Sequence, residues 1–322
     1  MNEYKGIWAF SEDHSLLLEI LGKGREIADK LETEVTAIVL GHNVKEKAEE
    51  AATYGADKVY LIDNPLLESF QSERYLSALT SLTFRYKPET FLIGSTKDGK
   101  ALAARLATRL NTGCITDCIQ LELTDEKKLV AKKIVYGGKG IATILWQVKP
   151  QIATIPLRTF TKLEFREKKG QIIQLDVELE EPKTRRLTVR PLEVSRIRVE
   201  EAEIIVSCGR GFEKKEDLAL AEELAKVLNA QVGCSRPLAE DRKWFTEWIG
   251  LSGHKVKPKL YIALGISGVI QHVAGIRDSK VIVAINKDEN APIFEIADYA
   301  IVGDIHEIVP ALIKAFQKCL QK

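Results

Sequence analysis

Apolar and polar residues alternate along this chain with two different periods, and the switches between them mark out its elements. Short apolar runs at Ile7–Phe10, Val35–Leu40, Lys58–Ile62 and Thr90–Gly94 predict buried strands. Between them lie stretches with apolar residues on one helical face. Ser15–Leu31 carries Leu17, Ile20, Leu21, Ile27 and Leu31 in this way, and Lys45–Tyr54, Arg74–Tyr86 and Lys100–Leu110 follow. This β-α repeat predicts a doubly wound sheet. From Cys114 to Ile155 the period drops to two, and Gly137-Gly138-Lys139-Gly140 joins Lys128–Tyr136 to Ala142–Trp146. A hairpin or antiparallel extension is expected there.

Arg158 to about Glu203 is charged, irregular and punctuated by Pro182 and Pro191, which reads as a linker with a solvated face. A second β-α series follows. Ile204–Cys208 is a strand ending in Gly209-Arg210-Gly211, and Asp217–Leu228 is a helix. Gln231–Cys234 is a short strand opening into Ser235-Arg236-Pro237. Three more apolar runs complete a five-stranded sheet: Leu260–Leu264, Val281–Ile285 and Tyr299–Val302. A helix from about Glu307 to Leu320 closes the chain. After Gly265-Ile266-Ser267-Gly268, a helical pattern places Val269, Ile270, Val273 and Ala274 on one face. The fold expected is α/β, with two doubly wound Rossmann-like domains, the N-terminal one carrying an antiparallel extension. The boundary falls between residues 1–200 and 201–322.

Length agrees, since 322 residues exceed what a single core usually organises. A net charge of +1 supplies no global field to recruit nucleic acid or an anionic membrane. No apolar run approaches the about 18 residues of a membrane span, and the first ten residues pass directly into a strand rather than a signal peptide. Five scattered cysteines (Cys114, Cys118, Cys208, Cys234, Cys319) suit a reducing compartment, the cytoplasm, and not a disulfide frame. Cys114 and Cys118 lack a second pair and the histidines lack an H-x3-H pairing, so buried thiols are expected and no metal.

Candidate chemistry lies mostly in the second series. Gly22-x-Gly24 sits inside a helical pattern, where its amides cannot face a phosphate, and reads as a helix crossing. Gly265-Ile266-Ser267-Gly268 follows a strand directly, so Ser267 and Gly268 could meet a phosphate or simply cap the helix. Arg210 and Arg236 stand at two further strand ends, where one anion or ring system could meet both; either could also be a surface arginine. His272, one turn after Gly268, is expected to face the mouth of the sheet, as a ligand contact or merely exposed. Asn286, Lys287 and Asp304 finish the next two strands, in reach of a ribose or adenine. No catalytic serine–histidine–acid set, paired carboxylates or Walker lysine is evident, so a bound cofactor is expected to carry the chemistry.

Together these residues resemble the α subunit of electron transfer flavoproteins. The family's C-terminal signature runs through Leu260–His272, Val283–Asp288 and Ala291–Tyr299 almost unbroken. The resemblance implies FAD in the C-terminal domain. It places Arg210 beside the phosphates and ribityl chain, and Ser235-Arg236 with the arginine against the isoalloxazine. Gly250-Leu251-Ser252-Gly253 takes the place of the family's G-Q-T-G, giving Ser252 the hydroxyl at flavin N5. Ser267 and Gly268 fall at the pyrophosphate turn. Gln271 and His272 become polar contacts to the ribityl chain and pyrimidine side, and Asn286, Lys287 and Asp304 line the ribose and adenine. Leu251 and Trp248 depart from the polar residues usual there. The implied protein is a redox carrier rather than a stand-alone enzyme. It would pair with a β subunit, which the N-terminal domain meets, and exchange electrons with a flavin dehydrogenase such as an acyl-CoA dehydrogenase. Two other readings are an NADH-dependent electron-bifurcating complex and, outside redox chemistry, a nucleotide-binding module.

Overall fold

In the computed structural model, residues 4–164, 170–184, 188 and 199–320 are described. The chain divides into two compact units, 1–189 and 190–322. The first contains β1 (Ile7–Phe10), α1 (His14–Leu31), β2 (Val35–Gly41), α2 (Lys45–Thr53), β3 (Lys58–Asp63), α3 (Ser72–Tyr86), β4 (Thr90–Gly94) and α4 (Lys97–Arg109). It continues with β5 (Cys114–Ile115), β6 (Cys118–Leu123), β7 (Leu129–Val135), β8 (Gly140–Leu145), β9 (Gln151–Ile155) and β10 (Gln171–Gln174). Seven of these strands form one sheet in the order β10-β3-β2-β1-β4-β9-β5, every pair parallel. The period-two region builds a separate antiparallel sheet, β6-β7-β8, while β5 and β9 at its ends return to the parallel one.

Amphipathic patterning decides this arrangement. Leu17, Ile20 and Leu21 of α1 are fully buried against β1, β2 and β4. Burial is worth about 2 kcal/mol per such side chain, against under about 1 kcal/mol for intrinsic helix propensity, so packing wins. Asp13 accepts the Leu16 N–H at 3.1 Å to start that helix. Gly22 lies where its Cβ would come within 2.5 Å of the Thr161 carbonyl, so it serves a close chain crossing. The other face of the sheet is covered by α3 and α4.

Two local expectations are corrected. Helix α4 begins at Lys97 and not at Lys100, because Thr96 caps it by accepting the Gly99 N–H at 2.8 Å. The segment read as a linker is ordered in part: β10 pairs with β3, and Leu175, Val177 and Leu179 pack on the sheet. Its short apolar alternation was hidden among charges, and Arg109 grips Glu180 with two hydrogen bonds of 3.0 and 2.9 Å. The basic runs at 165–169 and 185–198, Thr188 excepted, lie outside the described residues.

The second unit comprises β11 (Ile204–Cys208), α5 (Leu218–Leu228), β12 (Gln231–Cys234), α6 (Arg236–Glu240), β13 (Leu260–Leu264), α7 (Ile270–Ile276), β14 (Ile282–Asn286), β15 (Tyr299–Val302) and α8 (Ile305–Leu320). Its sheet is parallel throughout, in the order β12-β11-β13-β14-β15. Helices α5, α6 and α8 cover one face; Ile276 of α7 and a short turn holding Ile293 cover the other. Cys208 and Cys234 are register neighbours on β11 and β12 with no exposure, and burial pushes the Cys234 thiol up to about 12. These are inert structural thiols. Among the described residues no helix is long and apolar enough to cross a membrane.

In the first unit, buried Arg25 bonds Asp57 at 2.5 Å, Asp29 at 2.8 Å and the Thr33 carbonyl at 3.1 Å, joining α1 to the β2 and β3 entrances. Arg25→Leu is expected to cost about 2 kcal/mol, the scale of lost hydrogen bonds to charged groups. Urea unfolding followed by far-ultraviolet circular dichroism checks it; an unchanged midpoint would show the cluster to be neutral.

Candidate functional site

In the second sheet the strand order reverses between β11 and β13, and such a switch point opens a crevice at the carboxyl ends of the strands. Two glycine turns meet there. The Gly209 N–H donates to the Leu264 carbonyl at 2.8 Å, and the Gly211 N–H to the Gly265 carbonyl at 3.0 Å. A Cβ on Gly209 would lie 2.2 Å from the Gly265 oxygen, and one on Gly265 would lie 2.8 Å from the Gly211 Cα. Backbone therefore nests on backbone, and the only side chain of Gly209-Arg210-Gly211, Arg210, stands exposed at the rim.

The corresponding point in the first sheet, between β1 and β4, is closed by its own side chains. A Cβ on Gly94 would meet the Ser11 hydroxyl oxygen at 2.3 Å, and one on Gly99 the Gly94 carbonyl at 2.0 Å. Ser95 bonds Asp117 at 2.5 Å and Thr154 at 3.0 Å across the strand ends, and Thr96 bonds Glu12. One unit thus ends its switch point in nested glycine turns and the other in hydrogen-bonded polar side chains.

Around the open switch point the turns are stitched together. The Ser267 carbonyl accepts the Ile293 N–H at 3.0 Å, and Asn286 at the end of β14 donates from Nδ2 to the Ile266 carbonyl at 2.9 Å. Gly268 adopts φ +85°, and a Cβ there would fall 2.2 Å from the Ile293 nitrogen. The Asp288 N–H donates to Asn286 Oδ1 at 3.0 Å, and Lys287 is exposed beside it. Asp304 caps α8 through the His306 N–H at 2.8 Å. That bond, followed by the His306 ring, holds its carboxyl below the usual range.

The aromatic stretch after α6 forms a loop at the β12 edge. The Ile249 N–H donates to the Cys234 carbonyl at 2.9 Å, and the His254 N–H to the Trp248 carbonyl at 2.8 Å. The Leu251 N–H donates to the Gln271 carbonyl at 2.7 Å, which sets Gly250-Leu251-Ser252-Gly253 on α7 with Leu251 and Ser252 exposed. His254 binds Glu200 through Nδ1 and Glu247 at 3.1 Å through Nε2, tying the loop to the entry of the unit. Ser235 is buried as the N-cap residue of α6, and Arg236 follows with its guanidinium 5.7 Å from the Trp248 ring centroid.

Three placements differ from the sequence expectation. Ser267 does not cap α7, which starts at Ile270 after Val269; its hydroxyl makes no hydrogen bond to a described residue. Val269 and Ile270 are half exposed, and the buried face is His272, Gly275 and Ile276, because the short helix turns its glycine toward the loop. His272 is not at an open mouth but 4% exposed, with Nε2 3.0 Å from the Tyr261 hydroxyl. Burial lowers its pKa to about 4, with the Ile249 main chain opposing weakly, so the ring is neutral at ordinary pH. Two residues escaped the sequence reading altogether. Gly275 lets the loop sit down, since a Cβ there would lie 2.6 Å from the Gly250 Cα. Tyr261 looks like a core strand residue and is one, apart from its hydroxyl.

The comparisons with known proteins now fit this geometry. Residues 13–180 match the family model described as the electron transfer flavoprotein domain, and residues 198–277 match the electron transfer flavoprotein FAD-binding domain. The chain belongs to the electron transfer flavoprotein α subunit family. It is 40% identical to the electron transfer flavoprotein subunit alpha of Thermoanaerobacterium thermosaccharolyticum, covering 99% of each chain. It is 39% identical to that of Clostridium acetobutylicum over 97% of this chain and 96% of the other. It is also 39% identical to the lactate dehydrogenase (NAD(+),ferredoxin) subunit LctC of Acetobacterium woodii, over 96% of this chain and 76% of that one.

The family's cofactor fits the residues present. The Gly209-Arg210-Gly211 and Gly265–Gly268 turns put main chain and not side chains at the switch point, as close contact with a diphosphate requires, and the buried Nδ1 of His272 makes no aligned hydrogen bond among the described residues. Gly275→Ala is expected to lift the 250–253 loop, at about 1–3 kcal/mol for the overpacking, and to lower the flavin retained on purification. Flavin absorbance relative to protein, together with urea unfolding, measures both; full retention would mean that the loop's seat does not matter for binding.

Proposed function

We propose that this chain is the FAD-holding large subunit of a heterodimeric electron transfer flavoprotein, a carrier between flavin dehydrogenases and a further acceptor. The observation that carries the reading is the nested glycine crevice at the β11/β13 switch point, inside the segment matched by the family's FAD-binding model. Arg210, Ser267 and Gly268 would hold the diphosphate and ribityl region. Asn286, Lys287 and Asp304 would line the ribose and adenine. Arg236, Ser252 and the neighbouring loop, with Ser235, Gly250, Gly253, Gln271 and His272, would surround the ring system. FAD supplies the electron-accepting chemistry, and the protein supplies position and electrostatics.

The roles follow from what each side chain can do. Arg236 is a fixed cation braced on Trp248, so it stabilises negative charge that develops beside it. The Ser252 hydroxyl both donates and accepts, which suits a site whose protonation changes. Leu251 brings no polar group to its turn, so the tuning falls on Arg236, Ser252 and His272.

A β subunit is the partner, and an exposed apolar strip of the first unit supports it: Tyr136, Ile141, Leu145 and Val148 are each at least half exposed on or beside the antiparallel sheet. The dehydrogenase would be an acyl-CoA dehydrogenase or a similar flavoenzyme. Five free cysteines suit the reducing cytoplasm. The similarity to LctC, named for NAD(+) and ferredoxin, favours a second reading: a subunit of an electron-bifurcating complex whose second FAD lies mainly with the β subunit.

Counting the flavins released from the co-purified heterodimer separates the readings. One FAD with AMP indicates the carrier, two FAD indicate bifurcation, and a colourless complex rejects both in favour of a nucleotide-binding module. Arg236→Ala is expected to lower the flavin midpoint potential in redox titration; a wild-type potential would remove Arg236 from the tuning role.

A further inference from the structure

Beneath the crevice lies a polar pair that no catalytic or binding role yet explains. Tyr261 on β13 has no solvent exposure, and its hydroxyl lies 3.0 Å from Nε2 of His272 on α7, with the rings 6.1 Å apart and tilted by 55°. The phenol sits where unpaired polar groups are costly, so its hydrogen must go to an acceptor. The neighbouring Ser207 hydroxyl is equally buried and favours the ionised phenol, but it makes no aligned hydrogen bond among the described residues. An imidazole nitrogen is a far better acceptor than a phenol oxygen. The geometry therefore has one good assignment, with Tyr261 donating and His272 Nε2 accepting.

We propose that Tyr261 is a positioning residue that fixes the proton of His272 on Nδ1, making the histidine a neutral donor at the loop and crevice instead of an acceptor or a cation. Several features agree. The Nδ1 atom is buried and makes no aligned hydrogen bond among the described residues, with the Ile249 main chain beside the ring, whereas Nε2 is engaged. Desolvation keeps both partners uncharged: it lowers the histidine pKa and raises that of the tyrosine. The Ile249 main chain beside the ring favours a proton on the imidazole, and Ile249 is the residue that leads into Gly250. The same assignment relates three elements, β13, α7 and the loop, through one hydrogen.

The consequence rests on the flavin reading given above. A neutral N–H can support charge that develops on a bound ring without a standing positive charge, which leaves Arg236 as the cation of the site. In that division of labour His272 orients and Arg236 sets the field.

The test is nitrogen NMR on the co-purified heterodimer with its histidines ¹⁵N-labelled; with five histidines in this chain, His272 is assigned by the signal lost in His272→Gln. The expected wild-type pattern at pH 7 is a protonated Nδ1 and an unprotonated, hydrogen-bonded Nε2. In Tyr261→Phe, which removes only the hydroxyl, the Nε2 resonance should shift and the other tautomer should gain population. A protonated Nε2 in the wild type overturns the proposal, as does a Tyr261→Phe variant whose ring nitrogens both stay at their wild-type positions. The resonances are read whether or not flavin is bound, so a colourless complex would reject the flavin reading and leave this assignment standing or falling on its own. Where flavin is retained, Tyr261→Phe should also move its midpoint potential downward at unchanged flavin stoichiometry.

Discussion

The contact between Gly209-Arg210-Gly211 and Gly265 is the constraint on which the rest of the second unit depends. Two strands that neighbour each other in a parallel sheet normally send side chains up from their ends, and those side chains would fill the space between the outgoing turns. Here the turns approach to distances at which a Cβ would overlap a carbonyl oxygen. The two turns therefore meet main chain to main chain, with no side chain between them. Two polar contacts nearby help to hold that main chain still: Asn286 braces the Ile266 carbonyl, and the Ile293 N–H braces that of Ser267.

The first unit shows what the same topology does without that constraint. Its switch point carries Glu12, Ser95, Thr96, Asp117 and Thr154, which bond to one another across the strand ends. Glu12 is largely withdrawn from water, and this burial raises its pKa despite the Thr96 hydrogen bond. A diphosphate brought there would face carboxylates and find no free main chain. Both units belong to one architecture, yet only one has an edge suited to an anionic cofactor. The difference lies in four or five residues at the strand ends and not in the fold.

Most of the architecture was legible in the amino-acid sequence because apolar period reports burial directly. Ile7–Phe10 and Thr90–Gly94 are buried throughout, and an uninterrupted apolar run can be little else in a sheet covered on both faces. Legibility failed where a contact distant in sequence decided the outcome. Strand β10 has the exposed pattern of an edge, so Gln171–Gln174 carries too little apolar signal to stand out from the charges around it. In α7 the apolar residues Val269 and Ile270 suggested the buried face. The seat offered to the Gly250 turn instead demanded Gly275, and with it His272, on the inside. Of the candidate site residues, Arg210, Arg236, Ser267, Gly268, Asn286 and Asp304 are all at or next to strand ends, as periodicity and the turn glycines implied. Gly275 and the Tyr261 hydroxyl were not legible, since a small residue in a helix and an aromatic in a strand each have an ordinary reason to be there.

Burial then orders the electrostatics of the site. Arg236 is exposed and lies over the Trp248 ring, so its charge is inexpensive to keep and is partly screened by water. His272 lies where a charge would be costly, so it remains neutral and acts through direction and not through field. In the proposed carrier, a site that exchanges electrons with more than one partner would gain from this separation. On the proposed roles, the exposed cation would set a potential adjustable by whatever docks beside it, while the buried neutral imidazole would hold its geometry regardless of the surroundings. Placing the cation inside and the neutral donor outside would reverse both properties, since a buried charge would compete with folding and an exposed donor would be lost to water. The arrangement in this chain avoids both by leaving Arg236 exposed and His272 buried and neutral.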